Sequence, residues 1–377
     1  MLTKAHASIL RLINQSGPLS RTELVGLLGV SKASMSMLTG ELIGRGMLAE
    51  GAPVHGVGRP SVSLELAAGG TLFVGVSLAT TPFIVCVTDL HGRLVAETEM
   101  ECGREPAAIA REIARVIEDM FAGDVIGNGA DRAKLVGIGV AIPGFVDAAR
   151  GVCIRSTLLG WRDVPIGALI AEATGHTAYV ENDANSLALG EHLFGSLRGV
   201  NSCALVSVGD GIGCGLILNG ELHRGANGGA GEIAHATIEP GGQPCKCGKR
   251  GCLDTLSSIN SIASLAAQFG LAGDLAGLDE AAERGNQDAI GILHRAGSAL
   301  GLAASHLIQS LDPARIVVAV PDGPLDGLFG RVVRQTVDAS VMASDARQID
   351  LSVLRIGRPA WVAGAASVAA ARGLFQL

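Results

Sequence analysis

Between Glu232 and Asp254 the chain gathers His235, Cys245, Cys247 and Cys252, with an acid at either end. One imidazole and three thiols are a ligand set for a borderline-soft divalent cation, and sets of this kind hold zinc in a closed tetrahedron. The spacing is H-x9-C-x-C-x4-C, and Gly241, Gly242, Gly248 and Gly251 let the loop curl around an ion. Lys246, Lys249 and Arg250 are expected to offset the charge of three thiolates. Four protein ligands leave no open coordination position, so the expected Zn2+ is structural rather than catalytic. The plainer alternatives are an unmetallated loop with free thiols and a zinc finger that reads DNA. Three cysteines within eight residues weigh against the first. A better recognition helix elsewhere weighs against the second.

A second polar constellation lies at "TAYVENDANSLALGEHLFG", which reads as a strand, a polar turn and a helix. Asn182 and Asp183 fall at the helix start, where Asp183 can cap the helix. The elements around these groups alternate. "TLFVGVSLATTPFIVCVTDLHGRLVAETEM" reads as a β-meander and "EPAAIAREIARVIEDMFAG" as an amphipathic helix. "LVGIGVAIPGFVDAARG" is a strand ending in a Pro-Gly turn, and "SCALVSVGDGIGCGLILNGEL" is a second hairpin. Helices follow from about 257 to 310, then the strand "RIVVAV", then an Ala-rich helix near 361–374. This alternation predicts an α/β body. The Gly-rich "GDGIGCG" is not a dinucleotide fingerprint, because a strand rather than a helix follows it, and no GxxxxGK[ST] phosphate loop occurs.

With 377 residues, 48% of them hydrophobic and 17% charged, the chain can bury a sizeable core and is not of disordered type. The longest uncharged run, Leu66 to Thr88, is broken by Gly69, Gly70, Gly75 and Pro82, and is expected to form buried strands rather than a membrane span. The N-terminus has no signal-peptide pattern, and the other five of the eight cysteines stand alone in apolar surroundings. A reducing, cytoplasmic location is therefore expected, with those five as small core residues. Net charge is −7, yet residues 1–66 carry six basic against four acidic residues. That asymmetry is a weak pointer to nucleic acid.

The basic head has helix-turn-helix signals. Ile9, Leu10 and Ile13 mark a first helix, and "SRTE" at Ser20–Glu23 is a capping box. Leu24, Leu27 and Leu28 give the second helix an apolar face, and Gly29 supplies the turn. Ser31 is the N-cap of a third helix that packs through Met35, Leu38 and Leu42. Its other face offers Lys32, Ser34 and Ser36, which with Ser31 suit base edges and phosphates in a major groove. Two short strands around "GVGRP" read as a wing with Arg59 at its tip, suited to phosphates or a minor groove. The alternative is a small interaction module with no role in DNA binding.

Together, "GVAIPGFVD", "ENDANSLALGE" and "GANGGAGEIAH…CKCGKRGCLD" closely resemble the ROK family (repressors, open reading frames and sugar kinases) over nearly the whole chain. The head aligns it with that family's transcriptional repressors of xylose, glucose or N-acetylglucosamine genes. The resemblance implies a winged helix-turn-helix at 1–66, followed by a two-lobed actin-like, ribonuclease H-like domain. Its lobes are expected at 67–180, joined by the C-terminal helix at about 361–374, and at 181–360 with the zinc loop. It also implies that Asp183 matches the family's base toward a sugar hydroxyl, with Asn182 beside it. Glu232 and His235 match the family's ExGH motif, and His235 serves metal and sugar together. Asp254 stands where the family usually has Glu, and Gly144 and Thr157 fall at further sugar-lining positions.

Kinases of the family carry a D-x-G-G-T-K phosphate turn, in which glycine amides meet phosphate. Here the matching stretch is "SLATTP", Ser77 to Pro82. The second phosphate turn, usually G-T-G, is Gly209-Asp210-Gly211, which sets a carboxylate where phosphate would lie, and the late strand runs into "VPDG" instead of Gly-Gly. The expectation is a sugar-responsive regulator, most simply a repressor, that is not an enzyme. Sugar is expected to close the lobes and shift paired heads on a two-fold operator, which implies a homodimer or higher homo-oligomer. The alternatives are a sugar kinase with a divergent nucleotide site and a zinc-stabilised scaffold for a protein partner.

Overall fold

The computed structural model describes residues 2–54, 61–123, 126, 132–321, 327–342 and 350–377. Local capping signals set out its first segment. Helix α1 (Lys4–Ser16) is capped by Thr3. At α2 (Arg21–Leu28) the Glu23 amide donates to Ser20 Oγ at 3.2 Å, and the Ser20 amide donates to the Glu23 carboxylate at 2.7 Å. Gly29, at φ 65°, ends α2 in the left-handed conformation that glycine tolerates best. The Ser34 amide then donates to Ser31 Oγ (3.1 Å) and opens α3 (Lys32–Gly44). Ile9, Leu10, Ile13, Leu24, Met35, Leu38 and Leu42 are buried as expected, but Leu27 is 58% exposed. Leu27 lies about 100° around the helix from Leu28, and α2 packs only along the line through Leu24. Strands β1 (Leu19–Ser20), β2 (Leu48–Val54) and β3 (Ser61–Leu66) pair antiparallel in the order β1-β3-β2. The expected wing tip, with Arg59, lies outside the described residues.

By its contacts the chain divides into residues 1–199 with 359–377, and residues 200–358. In the first unit β4 (Leu72–Ser77), β5 (Phe83–Asp89) and β6 (Leu94–Met100) form an antiparallel meander. Helix α4 (Pro106–Ala122) follows, with Ile109, Ile113, Val116 and Ile117 on its buried face. Then β7 (Leu135–Ile142) runs parallel to β4, and β11 (Ala178–Asn182) runs parallel to β7. The sheet order is β11-β7-β4-β5-β6. Between β7 and β11 lie a three-stranded sheet, β8 (Phe145–Asp147), β9 (Val152–Ser156) and β10 (Trp161–Val164), and helix α5 (Ile166–Thr174). Helix α6 (Asp183–Phe194) follows β11. The run from Leu66 to Thr88 therefore holds two buried strands, and among the described residues no helix is long and apolar enough to cross a membrane.

The second unit repeats the plan. β12 (Cys203–Val208), β13 (Ile212–Leu218) and β14 (Glu221–Leu222) are antiparallel, and β15 (Arg315–Val320) and β16 (Asp350–Arg355) run parallel to β12 and β15. The order β14-β13-β12-β15-β16 matches that of the first sheet. Helices α7 (Asp254–Ser257), α8 (Ile259–Ala267), α9 (Leu275–Glu283), α10 (Gln287–Leu311) and α11 (Leu328–Ser340) accompany it. Among them, α10 supplies the largest share of the apolar core.

The last helix, α12 (Arg358–Ala369), returns to the first unit and ends in a π-helical turn, Ala370–Phe375. Small residues permit this. A Cβ on Gly139 would meet Ala365 O at 1.9 Å, and one on Gly75 would meet Ala366 N at 2.5 Å. The backbone of α12 thus lies directly on β4 and β7, a distance that larger side chains would forbid. Gly190 and Gly364 bring α6 and α12 together in the same way, with a Gly190 Cβ only 3.1 Å from Gly364 Cα. The division consequently falls after Gly199 rather than at 180, because α6 is held by α12, β7 and β11.

Candidate functional site

Three close chain returns build the metal-ligand loop. Thr237 bridges Cys252, Pro244 bridges Arg250, and the Cys245 amide donates to Lys249 O at 2.8 Å. Gly251, at φ 72°, makes the tightest return: a Cβ there would lie 1.6 Å from Glu239 O. As a result the ligand atoms of His235, Cys245, Cys247 and Cys252 all lie within 4.8 Å of one another. His235 Nδ1 is 3.6 Å from Cys245 Sγ, and the sulfurs of Cys247 and Cys252 are 3.6 Å apart. Ligand bonds of ordinary zinc length in a tetrahedron give N–S edges of about 3.6 Å and S–S edges of about 3.8 Å. The four residues therefore fit a metal ion of that size.

The protein sets these thiols apart. A hydrogen bond from the Lys249 amide holds Cys247 below the ordinary thiol range. Burial first, and then the neighbouring thiols, push Cys252 up to about 12. A bound divalent cation would bring all three to the thiolate form. The nearby cations have further partners beyond balancing that charge. Lys249 Nζ donates to His235 O (2.6 Å), Arg250 Nε donates to Gly241 O (3.4 Å), and Lys246 pairs with Asp254 at 3.4 Å. Of the five lone cysteines, Cys86, Cys203 and Cys214 are pushed up to about 12 by burial and Cys153 to about 11, as inert core thiols should be.

The polar residues singled out in the sequence fall into two sets, one on each unit. On the first, Asn182 caps α6 by accepting from the Asn185 amide (3.1 Å), and its Nδ2 donates to Gly144 O at 3.1 Å. Gly144, at φ 136°, sits against Arg155 and Ser156, where a Cβ would be 2.3 Å from Arg155 O. Thr157 is the next residue and is exposed. Asp183 opens α6, with its Oδ1 accepting from the Ala184 amide at 3.0 Å. The structure thus joins Gly144 to Asn182 and stations Asp183 beside them. One contributor was not foreseen: Glu181, 2% exposed, accepts from the Asn182 amide (2.9 Å) and from Asn185 Nδ2 (3.0 Å), and so orients the turn. Its place in "END" was visible, but its inward direction needed the sheet.

On the second unit, Glu232 precedes a 3-10 turn (Ile233–His235) that carries His235, one of the four candidate metal ligands. Asp254 opens α7 two residues after Cys252, and its Oδ1 accepts from the Ile212 amide at 3.0 Å. The Cys/His loop therefore carries His235 itself and connects to Asp254 through Cys252 and Lys246.

The two altered phosphate turns occupy equivalent places, the β4–β5 and β12–β13 hairpins of the matching sheets. Ser77 is buried, and Thr80 Oγ1 donates to Pro82 O at 3.0 Å. Asp210 is exposed, and the Gly209 amide is taken by Gly211 O at 3.0 Å. The first turn lacks the glycine amides that cradle phosphate, and the second keeps Gly209 and Gly211 but places a carboxylate between them. The end of the late strand motif, 322–323, lies outside the described residues.

In the head, Ser31, Lys32 and Ser36 are exposed. Ser34 is half-buried, with its hydroxyl 2.9 Å from that of Ser31. Met37, 60% exposed, stands on the outer face of α3 with Ala33 and Gly40.

The chain is 25% identical over 376 residues to the DNA-binding transcriptional repressor Mlc of Escherichia coli, with 96% of this chain and 91% of that protein covered. It is 29% identical over 310 residues to a glucokinase of Halalkalibacterium halodurans, with 78% of this chain and 93% of the glucokinase covered. The solved structure of a ROK family transcriptional regulator, described as a homolog of the E. coli Mlc protein, superposes with a TM-score of 0.79 at 24% identity, covering 99% of this chain and 97% of that one. Residues 73–372, which include both duplicated sheets, the metal-ligand loop and the α6 turn, match the ROK family profile, and the protein belongs to the ROK family.

Proposed function

We propose that the protein is a sugar-responsive, DNA-binding transcriptional regulator of carbohydrate-metabolism genes, most simply a repressor, without kinase activity. Its first 66 residues act as a winged helix-turn-helix in which α3 enters a major groove. Lys32, Ser36 and the capping serines Ser31 and Ser34 lie at the leading end of α3 and contact DNA, and Arg59 adds a contact to phosphates or a minor groove. Two copies of the chain bind a two-fold operator. Zn2+ held by His235, Cys245, Cys247 and Cys252 fixes the loop. The sugar is recognised through Gly144, Thr157, Asn182, Asp183, Glu232, His235 and Asp254. Several acceptors and donors for adjacent hydroxyls are what a monosaccharide demands.

The observation that carries this reading is the pairing of a basic three-helix head with a family body whose first phosphate turn lacks its glycines and whose second carries the Asp210 carboxylate between Gly209 and Gly211. The match to the repressor extends over 96% of the chain, whereas the match to the glucokinase covers 78%. The test is fluorescence anisotropy of the full chain on DNA from upstream of its own gene, titrated with D-glucose, D-xylose and N-acetyl-D-glucosamine. Tight binding shifted by one sugar supports the reading. Weak, salt-sensitive binding that no sugar moves overturns it. The glucokinase likeness keeps a second reading, a sugar kinase with a divergent nucleotide site. ATP turnover with any of the three sugars would favour it.

A further inference from the structure

Helix α6 begins at Asn182 and Asp183 and ends against the head. Twelve residues give it a length of about 18 Å. Its last-turn carbonyls lack intrahelical partners. The Leu193 carbonyl accepts from the side-chain amide of Asn14, at 2.8 Å, and Asn14 is 3% exposed. The amide that would close the next helical turn, Leu197 N, donates instead to Glu191 O at 3.1 Å.

Asn14 is held from its other side as well. Its own carbonyl, in the last turn of α1, would need an amide at position 18, but that residue is Pro18. Arg198 Nε donates to it instead. Arg198 is brought there by the turn after α6, which the Glu191 carboxylate fastens through Ser196 N (2.8 Å) and Ser196 Oγ (2.7 Å). Two helix ends, one in the head and one in the body, thus satisfy each other's main-chain groups. From α1 the contact continues to α3: the buried His6 places Nε2 3.1 Å from the Glu41 carboxylate. Meanwhile the Gly190–Gly364 contact seats α6 flush on α12, so a shift at one end of α6 is carried to the other by a stiff, close-packed element.

We propose that α6 is the mechanical link between the sugar-binding turn and the DNA-reading helix, with Asn14 as its joint. The inference rests on the regulator reading above. Sugar binding at Asn182 and Asp183 displaces α6, and the clamp on Asn14 passes that displacement to α1 and then to α3. Asn14 and Arg198 are positioning residues that touch neither ligand.

The test uses full-length Asn14→Leu and Arg198→Met, which remove the donors and keep most of the side-chain volume. DNA affinity is measured by anisotropy on the upstream fragment, with and without whichever of the three sugars acts on wild type. Sugar affinity is measured by calorimetry. Wild type should show a coupling factor of roughly 5–150-fold. Either variant should keep both separate affinities within a few-fold while the coupling factor falls toward one. Folded variants with undiminished coupling would overturn the joint and leave the regulator reading standing. No sugar effect on wild-type DNA affinity would overturn both. Should the variants not fold, hydrogen exchange on wild type decides. Sugar should change protection at the ends of α6 and α1 together, and a change in α6 without one in α1 overturns the proposal.

Discussion

Asp183→Asn separates a structural role from a ligand-binding one at the same residue. The substitution keeps the side-chain shape and an oxygen able to accept from the Ala184 amide, as Oδ1 now does at 3.0 Å. It removes only the charge. At the first position of α6 that charge contributes about 0.3–1 kcal/mol through the helix dipole. For a unit of this size, about 1 kcal/mol corresponds to roughly 2–4 °C, so thermal unfolding should move by no more than a few degrees. If the carboxylate accepts a sugar hydroxyl, a charge-assisted hydrogen bond worth about 1.5–3 kcal/mol is weakened. At 1.4 kcal/mol per decade, sugar affinity should then fall by roughly 10–150-fold. Calorimetry with the active sugar reads this directly, and anisotropy without sugar should give wild-type DNA binding. A sugar affinity within twofold of wild type, with the small thermal shift still present, would mean that Asp183 serves the helix alone.

Other outcomes follow from the same contacts. Elemental analysis should find one zinc per chain. Cys247→Ser should abolish it and lower the unfolding temperature, and unchanged zinc content would remove Cys247 from the ligand set. Acidification should release the metal, because the thiolates must be reprotonated. Ser20→Ala breaks the capping box and should cost about 1 kcal/mol. The Ser20 amide also holds the Glu23 carboxyl below its ordinary range, so its contribution is present at neutral pH. It fades as pH falls below the ordinary carboxylate value and through the folded one. A urea series against pH should therefore show the difference between wild type and Glu23→Gln shrinking in acid. A difference that grows there would refute the capping account. Met37, exposed on the outer face of α3, offers an apolar contact to thymine methyl groups. Replacing single thymines by deoxyuridine should weaken wild-type binding at one position and leave Met37→Ala indifferent there. Equal losses in both proteins would exclude Met37 as the reader.

What could be read from the sequence alone was local. The metal ligands lie within eighteen residues of one another, the Ser20–Glu23 and Ser31–Ser34 caps span three, and the turn after β11 sets Asn182 and Asp183 on a helix start. Such features depend on side-chain chemistry at short separation, which spacing reveals. Tertiary packing decided the rest. Asn14 and Leu193 are 179 positions apart, and neither looks exceptional in its own segment. Glycines 75 and 139 in strands and glycines 190 and 364 in helices look ordinary until α12 packs against β4, β7 and α6. Leu27 reads as part of the apolar face of α2, and packing left it outside. Close approach between distant segments depends on which backbones can come within contact of each other, and that is a property of the packed chain rather than of any stretch within it.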